Sequence, residues 1–146
     1  MPSKKSTRSA TEDASLGKQA YVLYLRIEQY RVDLHGAKLE PVPAFPLFEP
    51  ERLAAEQAFG TALMAALNEF NALLKETRQL LEKDPDLSPE LVRLVPAGAS
   101  EEEMKEALSV SSKEQLLIWS GRLLAIVKAY VMFHAPMEEK RKIGFV

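Results

Sequence analysis

Four prolines within ten residues, Pro41, Pro43, Pro46 and Pro50, constrain the fold of this chain more than any other feature. Proline lacks an amide donor and fixes φ, so residues 37–50 can form neither a helix nor a central strand. The proline segment therefore separates a short N-terminal part of the chain from a longer C-terminal part.

The proline segment also carries the large apolar side chains of Phe45, Leu47 and Phe48, which make it too apolar for a free linker. Each buried large apolar side chain contributes about 1.5–3 kcal/mol relative to exposure. We expect a proline-rich strap that packs between the first two long helices and buries Phe45 and Phe48. A peptide presented to a partner is the alternative.

Apolar residues before the prolines follow a helical spacing over residues 12–35. They recur at steps of four and three, at Leu16, Ala20, Leu23, Ile27, Tyr30 and Leu34. This spacing places all six on one side of an α-helix. Thr11 or Ser15 can cap its start, and Gly36 can adopt the left-handed conformation that often follows a helix.

Four more helices are predicted after the prolines, over residues 50–84, 88–95, 100–108 and 111–135. Their starts are marked by Ser88-Pro89-Glu90 and by capping boxes at Ser100–Glu103 and Ser111–Glu114. The predicted fold class is an all-α bundle of three long and two short helices. One domain is expected over 12–136, between a disordered tail at 1–11 and a C-terminal tail at 137–146.

Apolar side chains place a buried stripe on each of the two later long helices. In the helix over 50–84 the stripe comprises Leu53, Leu63, Leu67, Phe70, Leu74, Thr77 and Leu81, and small residues in its first half would let another helix approach. In the last helix, the buried side includes Trp119 and ends at His134. Trp119 is either a core residue or the anchor of a partner interface.

No pattern in the chain predicts catalysis, a cofactor or a metal site. The chain has no cysteine, which excludes thiolate chemistry, and it lacks the glycine-rich motifs that bind nucleotide phosphates. His35 and His134 each stand at a helix end, where a cation favours the helix dipole. We therefore expect a protein that is not an enzyme.

Partner contacts are predicted at an exposed tyrosine beside two arginines and in the C-terminal tail. The first group is Tyr24, Arg26 and Arg31, and the second is Lys140, Arg141, Lys142 and Phe145. We expect Phe145 to be exposed or docked on a neighbouring molecule. No apolar run approaches the roughly 20 residues that cross a bilayer, so a cytoplasmic chain without a membrane role is expected.

From about residue 60 onward, the order of features resembles the small helical subunits of type III CRISPR effector complexes. The matching stretches are ALMAALNEFNALLKE, ELVRLVPAGA and GRLLAIVKAYVMFHA. The resemblance implies a non-catalytic subunit that packs in a filament along guide and target nucleic acid. It does not extend to the first 50 residues, and no residue role is carried over.

Three functions follow as hypotheses. The first is a non-enzymatic interaction or assembly subunit that binds a protein partner or associates with itself. The second is a nucleic-acid-associated small subunit of a CRISPR-type ribonucleoprotein, with phosphate contacts from basic tails. The third is an enzyme of a type that no motif reveals, which would need a pocket with convergent polar groups.

Overall fold

The computed structural model describes the backbone of residues 10–42 and 49–134, with side chains for 15–42 and 49–133. These residues form five α-helices and contain no β-strand, so the prediction of an all-α fold is confirmed. The helices are α1 (Ala10–Gly36), α2 (Glu49–Glu82), α3 (Pro89–Val92), α4 (Glu101–Leu108) and α5 (Lys113–His134).

Several predictions concern residues outside this description. Residues 43–48 include Phe45 and Phe48, so the expected strap and its buried aromatics stay predictions. The same holds for both expected tails, apart from Ala10 and Thr11, which belong to α1.

The apolar stripe predicted for α1 is confirmed, because all six of its members are buried. The predicted caps of this helix are wrong, although its bounds lie within two residues of the predicted 12–35. α1 begins at Ala10, so Thr11 and Ser15 lie inside it and do not cap it. Gly36 is the last helical residue and lacks the positive φ expected of it; among the described residues the positive-φ glycine is Gly98, with φ of 100°.

The three long helices pack with α1 antiparallel to both α2 and α5. On α2, the Tyr30 hydroxyl donates to the Ala66 carbonyl at 2.8 Å. On α5, the Lys113 ammonium donates to the carbonyls of His35 and Ala37 at 2.9 Å each, so the start of α5 lies beside the end of α1. α2 and α5 therefore run in the same direction.

A row of three aromatic rings joins these helices close to the end of α1 and the start of α5. Phe70 of α2 lies between Tyr30 of α1 and Trp119 of α5, with ring centroids 6.2 Å apart in both pairs. Burial raises the pKa of Tyr30, so its hydroxyl stays a neutral donor. Trp119 is partly buried against the core. Its burial is therefore intermediate between that of a core residue and that of an exposed interface anchor, the two alternatives predicted from the sequence.

The first half of α2 departs from the predicted stripe. No residue from Glu49 to Ala62 is buried, and Leu53 is 52% exposed. The buried run begins at Leu63. The reason is tertiary: α1 meets α2 near Ala66 and ends six residues beyond Tyr30, so the first turns of α2 extend past it.

Serine side chains start the last three helices, as expected, with one shift of register. Ser88 accepts from the Leu91 amide, and Ser100 forms the predicted capping box with Glu103. At α5 the predicted cap is wrong by one residue. The hydroxyl of Ser112 accepts from the Gln115 amide at 3.2 Å, whereas the Ser111 hydroxyl is buried without a hydrogen bond to a described residue.

By length and composition, the segment Lys113–Phe133 of α5 is apolar enough to cross a membrane, contrary to the sequence-based expectation. A third of this stretch is buried within the chain, against the other helices. The core helix of a soluble protein passes the same test, so this finding assigns no membrane role.

A buried hydrogen bond fixes the other end of the bundle. The Tyr130 hydroxyl of α5 donates to Oδ2 of Asp84 at 2.8 Å, and Asp84, just after α2, is 3% exposed. Asp84 also accepts from the Asp86 amide at 2.9 Å through Oδ1, which closes the turn after α2.

We predict that Tyr130→Phe lowers the free energy of unfolding by about 1.5–3 kcal/mol, because it removes a hydrogen bond to a buried carboxylate. Urea titration followed by circular dichroism measures the loss. Tyr24→Phe is the matched control, since the Tyr24 hydroxyl donates to Glu28 on the surface. Equal losses in the two variants would contradict the structural role given to Asp84.

Candidate functional site

An apolar groove of about 500 Å³ opens between α4 and α5, with α2 as its floor. Its main lining residues are Leu67, Phe70, Leu94, Met104, Trp119 and Ile126. The inner side chains of this set are buried in the core, whereas Leu94 at the rim is 62% exposed. We call this surface the apolar groove. The aromatic row ends at this groove, because Trp119 stacks on Phe70 and also lines the groove.

The segment between α3 and α4 forms one wall of the apolar groove and is held by side chains of α2. Arg78 donates to the Val95 carbonyl at 2.7 Å. The Asn71 amide group bonds to both backbone groups of Ala99, at 3.0 and 2.7 Å. A glycine is needed at position 98, between Val95 and Ala99, for two reasons. A Cβ there would lie 2.5 Å from Cγ of Lys75, and the φ of Gly98 is positive.

The polar groups of the apolar groove are mostly engaged within the chain. Asn71 is used by Ala99, and Glu103 accepts from the Ser100 amide at 2.9 Å. This backbone hydrogen bond, with the side-chain bond to Ser100, holds the pKa of Glu103 below its usual value. Arg122 is exposed at the rim and forms no ion pair with a described residue. The lining therefore suits an apolar ligand with an acidic or polar group near Arg122.

A second groove, of about 660 Å³, lies between α1 and α2 and has more charged and polar lining residues than the apolar groove. Among the residues whose side chains the structure describes, its charged lining residues are Lys18, Arg26, Glu76 and Lys83, so three cations face one carboxylate. We call it the cationic groove. Anions are the ligands that this charge balance favours.

Arg26 of α1 and Glu76 of α2 form a paired contact in the cationic groove, with nitrogen to oxygen distances of 2.6 and 2.7 Å. The hydrogen bond from Arg26 lowers the pKa of Glu76, and partial burial opposes that shift. The same hydrogen bond raises the pKa of Arg26. Of the three cations, Arg26 is therefore paired with Glu76, and Lys18 and Lys83 remain as the cations that an anion can contact.

The structure does not bring the three predicted contact residues of α1 together. Tyr24 is 5% exposed, so the expectation of an exposed tyrosine is wrong. It lies on the side of α1 that packs against α5. Arg26 lies on the other side, in the cationic groove, because the two positions differ by about 200° around a helix.

Arg31 serves the packing of α1 against α5. It donates to the Ser120 hydroxyl at 3.2 Å and to the Leu117 carbonyl at 3.1 Å. A Cβ on Gly121 would lie 3.1 Å from a terminal nitrogen of Arg31. The glycine therefore leaves room for the guanidinium group of Arg31. The remaining predicted contacts, Lys140, Arg141, Lys142 and Phe145, lie outside the described residues.

Sequence reasoning missed most of the apolar groove. Leu94 and Met104 come from short elements whose packing no local pattern reveals. A signal was present on α5, where Trp119, Ile126 and Phe133 recur every seven residues and so follow one line along the helix. Phe133 is 73% exposed, which shows that this line continues past the groove.

Across the described ranges, no three acidic or histidine side chains lie close enough to hold a metal ion. Comparison with protein-family models, curated proteins and solved structures finds no match.

We predict that Glu76→Gln lowers the free energy of unfolding by about 0.2–1 kcal/mol at neutral pH, because both partners of this pair are half exposed. The folded-state pKa of Glu76 lies below the usual 4.5. The contribution of ionised Glu76 to the free energy of unfolding is therefore complete above pH 4.5. It disappears as the pH falls through the folded-state pKa of Glu76.

Urea titrations of both proteins across this pH range test the sign. The difference between wild type and Glu76→Gln should shrink towards low pH. A difference that grows on acidification would show that the Arg26 pair does not stabilise the fold. Glu82→Gln, which breaks an i,i+4 pair with Arg78, is the control.

Proposed function

We propose that this chain is a non-enzymatic interaction subunit that binds an apolar segment of a protein partner in the apolar groove. The observation that supports it best is the lining, where a partly buried tryptophan and aliphatic side chains form a concave surface. Tryptophan is enriched among the residues that dominate binding energy at protein interfaces. Leu94 at the rim offers apolar area that solvent otherwise covers.

The engaged polar groups favour binding over catalysis. Reaction chemistry needs polar groups that converge on one point and are free to act. In the apolar groove, Asn71 and Glu103 are committed to backbone groups of residues 99 and 100. A partner needs only to bury apolar area there and to satisfy Arg122.

The proposal includes the finer architecture expected from the sequence, a bundle of three long and two short helices with a proline-rich strap between the first two long ones. The strap leads directly into the exposed first half of α2. Leu53 and the small side chains of that half form a surface that the strap or a partner can cover. A cytoplasmic location also belongs to the proposal.

We predict that Leu94→Glu weakens partner binding or self-association by about tenfold to a hundredfold, the range that loss of one buried leucine produces. Val32→Glu is the matched control, because Val32 of α1 is 61% exposed and lies outside both grooves. Sedimentation velocity over a range of concentrations measures self-association. Quantitative affinity capture from the native cell measures partner binding.

The two variants separate a groove effect from a general effect of added charge. If the protein is monomeric at all concentrations and captures no partner, the proposed function fails. Equal binding by wild type and Leu94→Glu would move the interface away from the apolar groove.

A second candidate function is a nucleic-acid-associated subunit, as the resemblance to CRISPR small subunits implies. The cationic groove supports it, since Lys18 and Lys83 flank Arg26 along the α1 and α2 surfaces. Phosphate contacts from such side chains give affinity without sequence preference. This function would use a surface distinct from the apolar groove.

We predict that the double variant Lys18→Glu and Lys83→Glu weakens binding to single-stranded RNA and reduces the salt slope by about 1.4, the value for two phosphate contacts. Lys38→Glu with Lys105→Glu makes the same change in net charge on exposed sites outside both grooves. Fluorescence anisotropy at several salt concentrations measures both slopes. The absence of RNA binding by wild type at low salt would exclude this candidate.

A further inference from the structure

Helix α5 is mostly apolar around its circumference, although the other helices cover only part of it. From Glu114 to Phe133, its charged residues are Glu114, Arg122 and Lys128. Only 33% of its most apolar stretch is buried within the chain. A helix that is apolar all round is normally covered on all sides. The outer side of α5 therefore lacks a cover from the part of the chain that the structure describes.

This outer side carries an exposed isoleucine between two opposite charges. Ile118 is 52% exposed. Glu114 stands four residues before it and Arg122 four residues after it, and both side chains are exposed. At 3.6 residues per turn, the two charged residues lie about 40° to either side of Ile118, so all three share one face. We call Glu114, Ile118 and Arg122 the outer face of α5.

The two charges of the outer face have no counterpart of opposite sign nearby. Neither Glu114 nor Arg122 forms an ion pair with a described residue. They cannot pair with each other, because they lie about 12 Å apart along the helix. The neighbouring cation is engaged elsewhere, since the Lys113 ammonium donates to the carbonyls of His35 and Ala37. The outer face therefore offers one anion and one cation to a partner.

The outer face is complementary to itself. In an antiparallel pair of α5 helices with Ile118 on the two-fold axis, each residue meets the residue equally far beyond Ile118 in the second copy. Glu114 then lies opposite Arg122 of the second copy, and Arg122 lies opposite Glu114 of the second copy. Ile118 meets its own equivalent at the axis. A two-fold interface of this kind uses the same patch on both copies and closes on itself.

We propose that the chain forms a two-fold dimer through the outer face of α5, with the two helices antiparallel and centred at Ile118. Two ion pairs then flank one apolar contact. This inference deepens the proposed function and rests on it, because Glu114 of the second copy supplies the acidic group that Arg122 lacks at the rim of the apolar groove. One partner of the interaction subunit is thus another copy of the same chain.

The charges select this register over the alternatives. An antiparallel pair centred at Ala125 would bring Arg122 opposite Lys128 of the second copy, which places like charges together. A parallel pair would place Glu114 beside Glu114 and Arg122 beside Arg122. A lipid surface would cover Ile118 but has no counterpart matched to both charges. The antiparallel pair centred at Ile118 satisfies all three residues of the outer face.

The first test exchanges the charges. Glu114→Arg and Arg122→Glu each place like charges opposite one another in the dimer, so each variant alone should dimerise about tenfold more weakly than wild type. An equimolar mixture of the two variants should form a heterodimer, because each contact in it again joins opposite charges. The double variant, Glu114→Arg with Arg122→Glu, should regain the homodimer. Sedimentation velocity measures association, and native mass spectrometry identifies the heterodimer by its mass.

Glu69→Arg and Lys83→Glu are the matched controls for the charge exchange. They make the same changes in net charge at exposed sites of α2, which does not form the outer face. Each control variant should dimerise like wild type. Circular dichroism shows whether the helices persist in every variant, so that a loss of dimer is not mistaken for a loss of folding.

The second test places a charge on the proposed two-fold axis. Ile118→Asp removes the central apolar contact and brings two carboxylates together, so dimerisation should weaken by at least about tenfold. Met132→Asp is the control, because Met132 is 49% exposed on the same helix but lies about 21 Å further along it. A greater effect of Met132→Asp than of Ile118→Asp would contradict the proposed register.

Three further results would overturn the inference. The first is a wild-type chain that stays monomeric at every concentration, and the second is a mixture of the two charge variants that forms no heterodimer. The third is binding to vesicles of phosphatidylcholine and phosphatidylserine that Ile118→Asp abolishes, which would assign the outer face to a membrane. None of these results decides how Leu94→Glu affects partner capture, so the proposed function is tested separately.

Discussion

The position of Phe70 between Tyr30 and Trp119 is the contact on which the rest of the structure depends. It joins α1, α2 and α5 through two ring pairs at 6.2 Å. Aromatic pairs add stability beyond the area that they bury. Phe70 and Trp119 also line the apolar groove, so core packing and the candidate binding surface share these two residues.

The walls of the apolar groove depend on polar contacts rather than on regular helix packing. Asn71 and Arg78 of α2 hold the segment between α3 and α4 by its backbone, and Gly98 lets that segment pass close to Lys75. The polar groups of Asn71 and Arg78 are therefore already hydrogen-bonded within the chain. What remains for a ligand is apolar surface with Arg122 at the rim, and this is the physical basis for proposing binding rather than chemistry.

The two grooves give the chain two separate surfaces with different physical demands. Binding in the apolar groove gains chiefly from burial of hydrophobic area. The cationic groove acts through charge and weakens as salt rises. A subunit with both could contact a protein and an anion at once, since α2 separates the groove beside α5 from the groove beside α1.

The sequence by itself determined what depends on neighbours along the chain. The 3–4 spacing of six apolar residues specified the buried side of α1, and Ser88 and Ser100 specified two helix starts, because capping involves residues three positions apart. Only the tertiary structure decided the rest. Tyr24 is buried because α5 packs on that side of α1, and Leu53 is exposed because α2 extends past α1. The apolar groove joins residues up to 59 positions apart, from Leu67 to Ile126, and no local pattern encodes such a distance.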